Sequence, residues 1–376
     1  MLEGFFNPGS VAVVGASREE GKTGHSIISN IVKYGFPGKI YPVNPKSNEI
    51  MGLKSYPDLL SIEGDVDLAI IVIPPKFILN TIDECAKKGI KSAIIISAGF
   101  KETGGEGRKL EAELVEKAKG HGIRLLGPNC LGLIDTNSKL NASFAAGMPP
   151  KGKIAFFSQS GALCTAILDW AVGNNVGFSK FVSLGNKADL SELELIQTLA
   201  DDPETSVILG YLEGVEKGPE FMDVARKAAR KKPLIIVKAG GTAAGARAAS
   251  SHTGTLAGAD KAFQAAFDQS GIIRAMSIED LFDYALSFAG QPLPSDSRLA
   301  IITNAGGPGI IAADACERFK VELAELSGDT INKLRESLPP VAGFFNPVDV
   351  IGDARADRYD AAVNIVLADP NVNGAL

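Results

Sequence analysis

Residues 11–26 read VAVVGASREEGKTGHS, and the fold follows from how this stretch is parsed. Its first four residues are apolar with no polar alternation, the pattern of a strand buried on both faces. Gly15, Ala16 and Ser17 then form a small, flexible turn, and the residues beyond it open a helix. Strand, glycine turn and helix in succession are the start of a βαβ unit.

The same pattern recurs along the chain. Further candidate strands are Lys39–Val43, Leu68–Ile73, Ser92–Ile96 and Arg124–Leu126, then Ile154–Phe157, Phe181–Leu184, Val207–Tyr211 and Leu234–Val237, with another series beginning at Leu299–Thr303. Between them lie amphipathic stretches such as PPKFILNTIDECAKKG (74–89) and EGRKLEAELVEKAKGHG (106–122). Strands alternating with helices predict an α/β fold of parallel sheets covered by helices on both faces.

Three more strands run into small residues that open a helix: IAFFSQSGALC (154–164), IIVKAGGTAAG (235–245) and LAIITNAGGPGII (299–311). Such loops aim backbone N–H groups at an anion, with the positive end of the helix dipole behind them. In open α/β sheets ligands sit at the carboxyl ends of strands, where these loops lie. The first loop is neither a P-loop, having five residues between Gly15 and Gly21 where that motif has four, nor a G-x-G-x-x-G fingerprint. The second strand ends in IYPVNPK (40–46), which offers Asn44 and Lys46 where a dinucleotide fold would place an acid for the ribose. A cation there suits a phosphorylated ribose, as in NADP or coenzyme A. By itself Lys46 reads first as a solvated loop lysine.

Composition narrows the class. The chain has 376 residues, 45% hydrophobic and 22% charged, with a net charge of −6. That describes a globular protein of two or three domains with sizeable cores, and its acidity argues against nucleic-acid or membrane-surface partners. No basic leader precedes the short N-terminal apolar run, so we expect neither a signal peptide nor a membrane span. Cys85, Cys130, Cys164 and Cys316 are scattered without a C-x-x-C. They read as reduced, mostly buried thiols of a cytoplasmic protein, and with only three histidines no metal site is expected.

Two boundaries are expected. LNASFAAGMPPKGK (140–153) reads as a loop before a new strand, and GQPLPSDS (290–297) as a Pro/Ser-rich linker. They divide the chain into 1–143, 144–293 and 294–376. The last part ends as a strand begins, which predicts an incomplete domain.

Taken in order, SVAVVGAS (10–17), YPVNPK (41–46), IVIPP (71–75), SAGFKE (97–102), GPNCLG (127–132), FSQSGAL (157–163), GNKADL (185–190) and SSHTGTLAG (250–258) resemble the coenzyme A-binding subunit of nucleoside-diphosphate-forming acyl-CoA synthetases. ADP-forming acetate–CoA ligase belongs to that family, and succinyl-CoA synthetase is related to it. TNAGGPG (303–309) and FNPVDV (345–350) extend the resemblance over nearly the whole chain. It implies a Rossmann-like coenzyme A-binding domain followed by flavodoxin-like succinyl-CoA synthetase-type domains. It places coenzyme A along Gly15, Ala16 and Ser17, along Val43, Asn44 and Lys46, at Ile73 and Pro74, and at Ser97, Ala98, Gly99 and Phe100. It makes His252 the acceptor of a phosphoryl group and Glu213 the acid that orients its ring, with Asn129 and Ser158, Gln159, Ser160 and Gly161 lining the same pocket. The implied reaction interconverts acyl-CoA, phosphate and ADP with free acid, coenzyme A and ATP through an acyl phosphate. The ADP/ATP and Mg²⁺ belong to an ATP-grasp half, a partner subunit or fused segment not recognisable here, and an oligomer is expected.

His252 suits that role on chemical grounds. A histidine nucleophile needs one nitrogen unprotonated and the other held by a partner, which a carboxylate provides. The transferred group carries about two negative charges and needs the amide donors of a helix start such as SQSGAL. The surrounding GGTAAGARAASSHTGTLAG (240–258) is almost free of large side chains, which predicts a loop able to swing between two sites. His25 opens a helix, where it either caps that helix or lies near coenzyme A phosphates; His121 ends another. Trp170 and Cys130 read as packing. The alternatives are a coenzyme A-binding regulatory module of the kind fused to protein acetyltransferases, which generally lacks the phosphorylated histidine, and an NADP oxidoreductase, which leaves SHTG unexplained.

Overall fold

Apolar runs such as Val11–Val14 and Leu68–Ile71 have no polar face to offer water, so they pair as strands covered on both sides. In the computed structural model, which describes residues 2–242 and 260–376, five strands form a parallel sheet. They are β1 (Ser10–Val14), β2 (Lys39–Val43), β3 (Leu68–Ile71), β4 (Ser92–Ile95) and β5 (Arg124–Leu126), in the order β2-β1-β3-β4-β5. The pleat sends alternate residues to opposite faces. Val11 and Val13 pack with Ile27, Ile28 and Ile31 of α1 (Thr23–Lys33). Ala12 and Val14 pack with residues of α2 (Ile78–Lys88) and α3 (Gly105–Gly120). The chain moves one way from β1 to β2 and the other way to β3, so a topological switch point opens at the carboxyl ends of β1 and β3.

A second sheet has seven strands: β6 (Gly132–Asp135), β7 (Leu140–Ser143), β8 (Lys151–Ser158), β9 (Phe178–Ser183), β10 (Val207–Leu212), β11 (Leu234–Lys238) and β12 (Ile273–Ala275). Their order is β12-β11-β10-β8-β9-β6-β7, parallel from β12 to β9, with β6 and β7 added antiparallel at the edge. Ile154 and Phe156 face α4 (Gly161–Gly173) and α8 (Ile278–Gly290). Ala155 and Phe157 face α5 (Glu192–Asp201), α6 (Gly218–Ala229) and α7 (Asp260–Ser270). β8 lies between β9 and β10, so this sheet has its own switch point, at the carboxyl ends of β8 and β10.

The two sheets share one apolar core, in which Ile27 and Ile31 of α1 cluster with Leu133 of β6 and Leu140 and Ala142 of β7. Asn30, on the same helix, donates both amide hydrogens to the carbonyls of Ser143 and Ala145, each at 2.8 Å. Both sheets belong to one compact unit, Met1–Gln291; the second unit is Pro292–Leu376. The second unit contains a three-stranded parallel sheet of β13 (Arg298–Ala300), β15 (Glu322–Leu323) and β17 (Gly374–Ala375), and a parallel pair of β14 (Ile302–Thr303) and β16 (Val348–Asp349). Its helices are α9 (Gly306–Phe319), α10 (Gly328–Ser337) and α11 (Ala356–Leu367).

The sequence reading misplaced some local structure. Residues 140–143, read as loop, are strand β7: Ala, Ser and Asn carry little β-propensity, and pairing with β6 overrides it. Leu299–Thr303 is two strands rather than one, because the Asn346 side chain accepts the Ile301 amide at 2.9 Å and splits the run. Trp170 is 39% exposed rather than in the core, with its ring 4.4 Å from that of Phe282. All four cysteines are free and buried. Among the described residues no helix is long and apolar enough to cross a membrane.

Candidate functional site

At the first switch point the β1–α1 turn is held very close to its neighbours. Gly15 has φ 91° and donates its amide to Val43 O at 3.0 Å. A Cβ there would lie 2.5 Å from Val72 O, so only glycine fits. Gly24, in the first turn of α1, is equally tight, since its Cβ would lie 2.0 Å from Gly15 O. Asn44 ties the next loop to this one: Nδ2 donates to Ala16 O at 2.7 Å and Oδ1 accepts the Lys46 amide at 2.8 Å. Lys46 itself is exposed, Ser17 and His25 are half-buried, and Val43 packs its side chain into the core. Ile73 is joined to Ser97, whose hydroxyl donates to Ile73 O at 2.6 Å, while Pro74 and Ala98 are exposed. The loops after β1, β2, β3 and β4 therefore converge on one crevice. Its rim is made of main-chain groups and small side chains beside the exposed Lys46, and can accept a long ligand with a phosphorylated end.

The second switch point lies at the end of β8. Ser158 Oγ accepts the Ser160 amide at 2.9 Å, folding the turn, and Ser160 caps α4 by accepting the Leu163 amide at 3.3 Å. The Gly161 and Ala162 amides have no acceptor among the described residues and form the positive end of a 13-residue helix. The side chain of Gln159 spans the crevice to the end of β10. Its Oε1 accepts the amides of Glu213 (2.7 Å) and Gly214 (3.1 Å), and its Nε2 donates to Gly214 O at 2.9 Å. Glu213 is half-buried, its main chain is fixed, and its carboxylate has no ion-pair or hydrogen-bond partner among the described residues. Tyr211, two residues earlier, titrates above its ordinary range because of burial and the neighbouring Glu213 charge.

Asn129 joins the two crevices. With φ 56° it follows Pro128, donates its amide to Ser97 O at 3.0 Å, and places Nδ2 3.3 Å from Asn186 Oδ1. Cys130 beside it is buried, with its thiol pushed up to about 12 by burial and Sγ against Ile95 O, so it packs and is no nucleophile. His121 ends α3 with Nε2 3.2 Å from Asp83 Oδ1, a carboxylate partner added to the helix dipole. His252 lies outside the described residues, as does the rest of 243–259.

The structure also brings in residues to which the sequence reading gave no role. Lys187 and Glu192 form a buried ion pair at 3.1 Å beside Gln159, and Glu192 Oε2 lies 3.4 Å from Gln159 Nε2. Asn186 bonds Glu102 and Glu111. Burial pushes the Glu102 carboxyl up, but hydrogen bonds from Asn186, Gly99 and Phe100 outweigh it and hold the group below its usual range. Lys238, buried at the end of β11 with its ammonium 4.5 Å from the Phe263 ring centre, titrates low because of burial. GNKADL and SAGFKE carried a signal for Asn186, Lys187 and Glu102. Glu192 carried none, since a glutamate in the first turn of a helix is ordinarily explained by the dipole.

The chain is similar to known proteins over its whole length. Residues 9–136 match a family described as CoA binding domain, 151–288 the succinyl-CoA ligase like flavodoxin domain and 299–376 the ligase-CoA domain. The chain is 52% identical over 372 residues to acetate–CoA ligase [ADP-forming] I of Archaeoglobus fulgidus, covering 99% of itself and 54% of that protein. To acetate–CoA ligase [ADP-forming] II subunit alpha of Pyrococcus furiosus it is 47% identical over 373 residues, covering 99% of itself and 81% of that subunit. The chain thus spans little more than half the length of the first of these relatives. A solved structure of a Ca. Korarchaeum cryptofilum acetyl-coenzyme A synthetase 1, in complex with phosphate and ADP, superposes with a TM-score of 0.96 at 42% identity, over 100% of this chain and 81% of that one.

Proposed function

Because the chain belongs to the ADP-forming acetate–CoA ligase family, we propose that it is the coenzyme A- and phosphate-handling part of an acid–thiol ligase. The reaction is acyl-CoA plus phosphate plus ADP to free acid plus coenzyme A plus ATP, with acetyl-CoA the first acyl donor to test. The observation that carries this reading is the pairing of two switch-point crevices in one unit, one rimmed by Gly15, Asn44, Lys46 and Ser97, the other holding Glu213 under Gln159.

In the proposed sequence coenzyme A lies along Gly15–Ser17, Val43–Lys46, Ile73–Pro74 and Ser97–Phe100, and its thioester reaches the second crevice. A phosphate oxygen attacks the thioester carbonyl carbon, the C–S bond breaks, and coenzyme A leaves as the thiol after taking a proton. Phosphate and the resulting acyl phosphate lie at the start of α4, where the Gly161 and Ala162 amides and the helix dipole offset their charge. A nitrogen of His252 then attacks phosphorus, the P–O bond to the acyl group breaks, and the free acid departs. Glu213 accepts the hydrogen bond of the other ring nitrogen and stabilises the ring as positive charge develops. In the last step an ADP oxygen takes the phosphoryl group from His252. We assign that step, with its Mg²⁺, to an ATP-grasp half in a partner subunit or fused segment.

The division into 1–143, 144–293 and 294–376 is proposed to separate coenzyme A binding, phosphoryl transfer and an accessory ligase domain. The test is direct: incubated with acetyl-CoA and labelled phosphate, the chain should gain acid-labile phosphate on His252, and His252→Ala and Glu213→Gln should not. Equal labelling of His252→Ala would remove the enzyme reading, and coenzyme A binding with no labelling would favour a regulatory module.

A further inference from the structure

The turn Gly185–Asn186–Lys187, which comes between β9 and α5, touches both crevices at once. Asn186 is buried and donates from Nδ2 to Glu102 Oε2 at 2.6 Å and to Glu111 Oε2 at 2.7 Å, while its carbonyl accepts from Lys101 Nζ at 2.5 Å. Through its other oxygen Glu102 accepts the amides of Gly99 (2.5 Å) and Phe100 (3.1 Å), which shapes the loop after β4. The Asn186 amide donates to Pro128 O at 2.8 Å, securing the segment that carries Asn129.

One residue further on, Lys187 (φ 46°) sends its ammonium the other way. Nζ lies 3.1 Å from Glu192 Oε2 and 3.0 Å from Gly214 O, the carbonyl next to Glu213. The Lys187 and Glu192 side chains are only 12% and 3% exposed. A buried ion pair is a weak source of stability, since apolar replacements of similar shape usually do as well. What an apolar pair could not do is donate a hydrogen bond to Gly214 O.

We propose that Asn186 and Lys187 are positioning residues that hold the coenzyme A loop 97–102 and the Glu213–Gly214 turn in one frame. Lys187 acts on Glu213, and Asn186 acts through Glu102 on the Gly99 and Phe100 amides. The proposal rests on the reading of Glu213 as the acid that orients His252.

The experiment is the rate of acid-labile labelling of the full chain by acetyl-CoA and labelled phosphate, measured across acetyl-CoA concentrations. Lys187→Met lowers the maximal rate about tenfold or more while the half-saturating acetyl-CoA stays within about twofold, and Lys187→Arg recovers part of the rate. Asn186→Ala does the reverse, raising half-saturation about tenfold with a smaller loss of maximal rate. A purely structural role would lower the melting temperature and the active fraction and leave both constants unchanged per active site. If Lys187→Met does not fold, Lys187→Met/Glu192→Gln, which strands no charge, replaces it with the same expected loss. Glu213→Gln runs alongside. Lost labelling there with a normal maximal rate in the Lys187 variants overturns the positioning role, as does a proportional change of both constants in both residues' variants. Normal labelling by Glu213→Gln as well overturns the reading of Glu213 and this proposal with it.

Discussion

A methyl group added at Gly15 tests the proposed coenzyme A crevice at a point of close packing. Gly15 sits at φ 91°, where a side chain costs about 1–2 kcal/mol of backbone strain. The new Cβ would meet Val72 O at 2.5 Å and Ile73 Cγ2 at 2.8 Å. Val72 cannot retreat freely, because its own amide is bonded to Val14 O at 2.9 Å. The turn must move instead, giving up the Gly15 amide bond to Val43 O, worth about 0.5–1.5 kcal/mol. Together these come to about 1.5–3.5 kcal/mol, and because Arg18, Glu19 and Glu20 just beyond are exposed, the turn absorbs the strain by shifting rather than by unfolding the sheet. Converted to binding, that is about a 10- to 400-fold loss of coenzyme A affinity. Titration calorimetry of Gly15→Ala with coenzyme A measures it. Gly21→Ala, at φ 82° with nothing within 4 Å of its Cβ, is the control carrying strain without the clash. An affinity within about twofold of wild type for Gly15→Ala, with the fold intact, would refute the crevice assignment.

Gln159→Ala removes three hydrogen bonds to the Glu213–Gly214 main chain, about 0.5–1.5 kcal/mol each; the rate of His252 labelling should fall at least about tenfold, with coenzyme A affinity unchanged. Lys180 holds Asp202 at 2.6 Å and Asp135 at 3.4 Å in the core, so Lys180→Met should cost about 3–5 kcal/mol at neutral pH by denaturant titration. Burial pushes Asp202 up, but Lys180 and Thr205 outweigh it and hold its folded value low, so its contribution is full above the ordinary carboxylate range and is lost as pH falls through the lower folded value. Asp135 is raised by burial, so its ionised form costs stability that returns as acid protonates it; the Lys180→Met deficit should therefore begin to shrink while the pH is still above the ordinary carboxylate range. Burial pushes the Cys85, Cys130 and Cys164 thiols up to about 12, so a thiol reagent at pH 8 should leave them unmodified in the native protein, and Cys130→Ala should label His252 at the wild-type rate.

The parallel strands were legible because burial on both faces writes itself as continuous apolar runs, as in Val11–Val14 and Leu234–Val237. The edge strand β7 was not, because its pairing partner and α1 create its environment, not its own LNAS. The site divides the same way. Gly15, Ser160 and Gly161 announce themselves by the turn chemistry a strand-to-helix junction requires. Gln159 was read as a pocket residue, yet its span to Glu213 becomes visible only once β8 and β10 lie side by side. Lys187 and Glu192 are five positions apart on either side of a helix start, and nothing local distinguishes them from surface charges; only burial does.

The placement of α1 has one more consequence. The helix that begins just beyond the Gly15 turn is roofed by strands from the other sheet, and Asn30 is sutured to two carbonyls there. A chain clipped between residues 136 and 140 should therefore behave as a nicked whole, its two fragments copurifying rather than drifting apart. Expressed alone, the leading fragment would wear an oily, bare stripe where Ile27 and Ile31 had been covered. The piece proposed to grip the thioester carrier and the piece proposed to handle phosphate are thus two sheets by topology but one object mechanically.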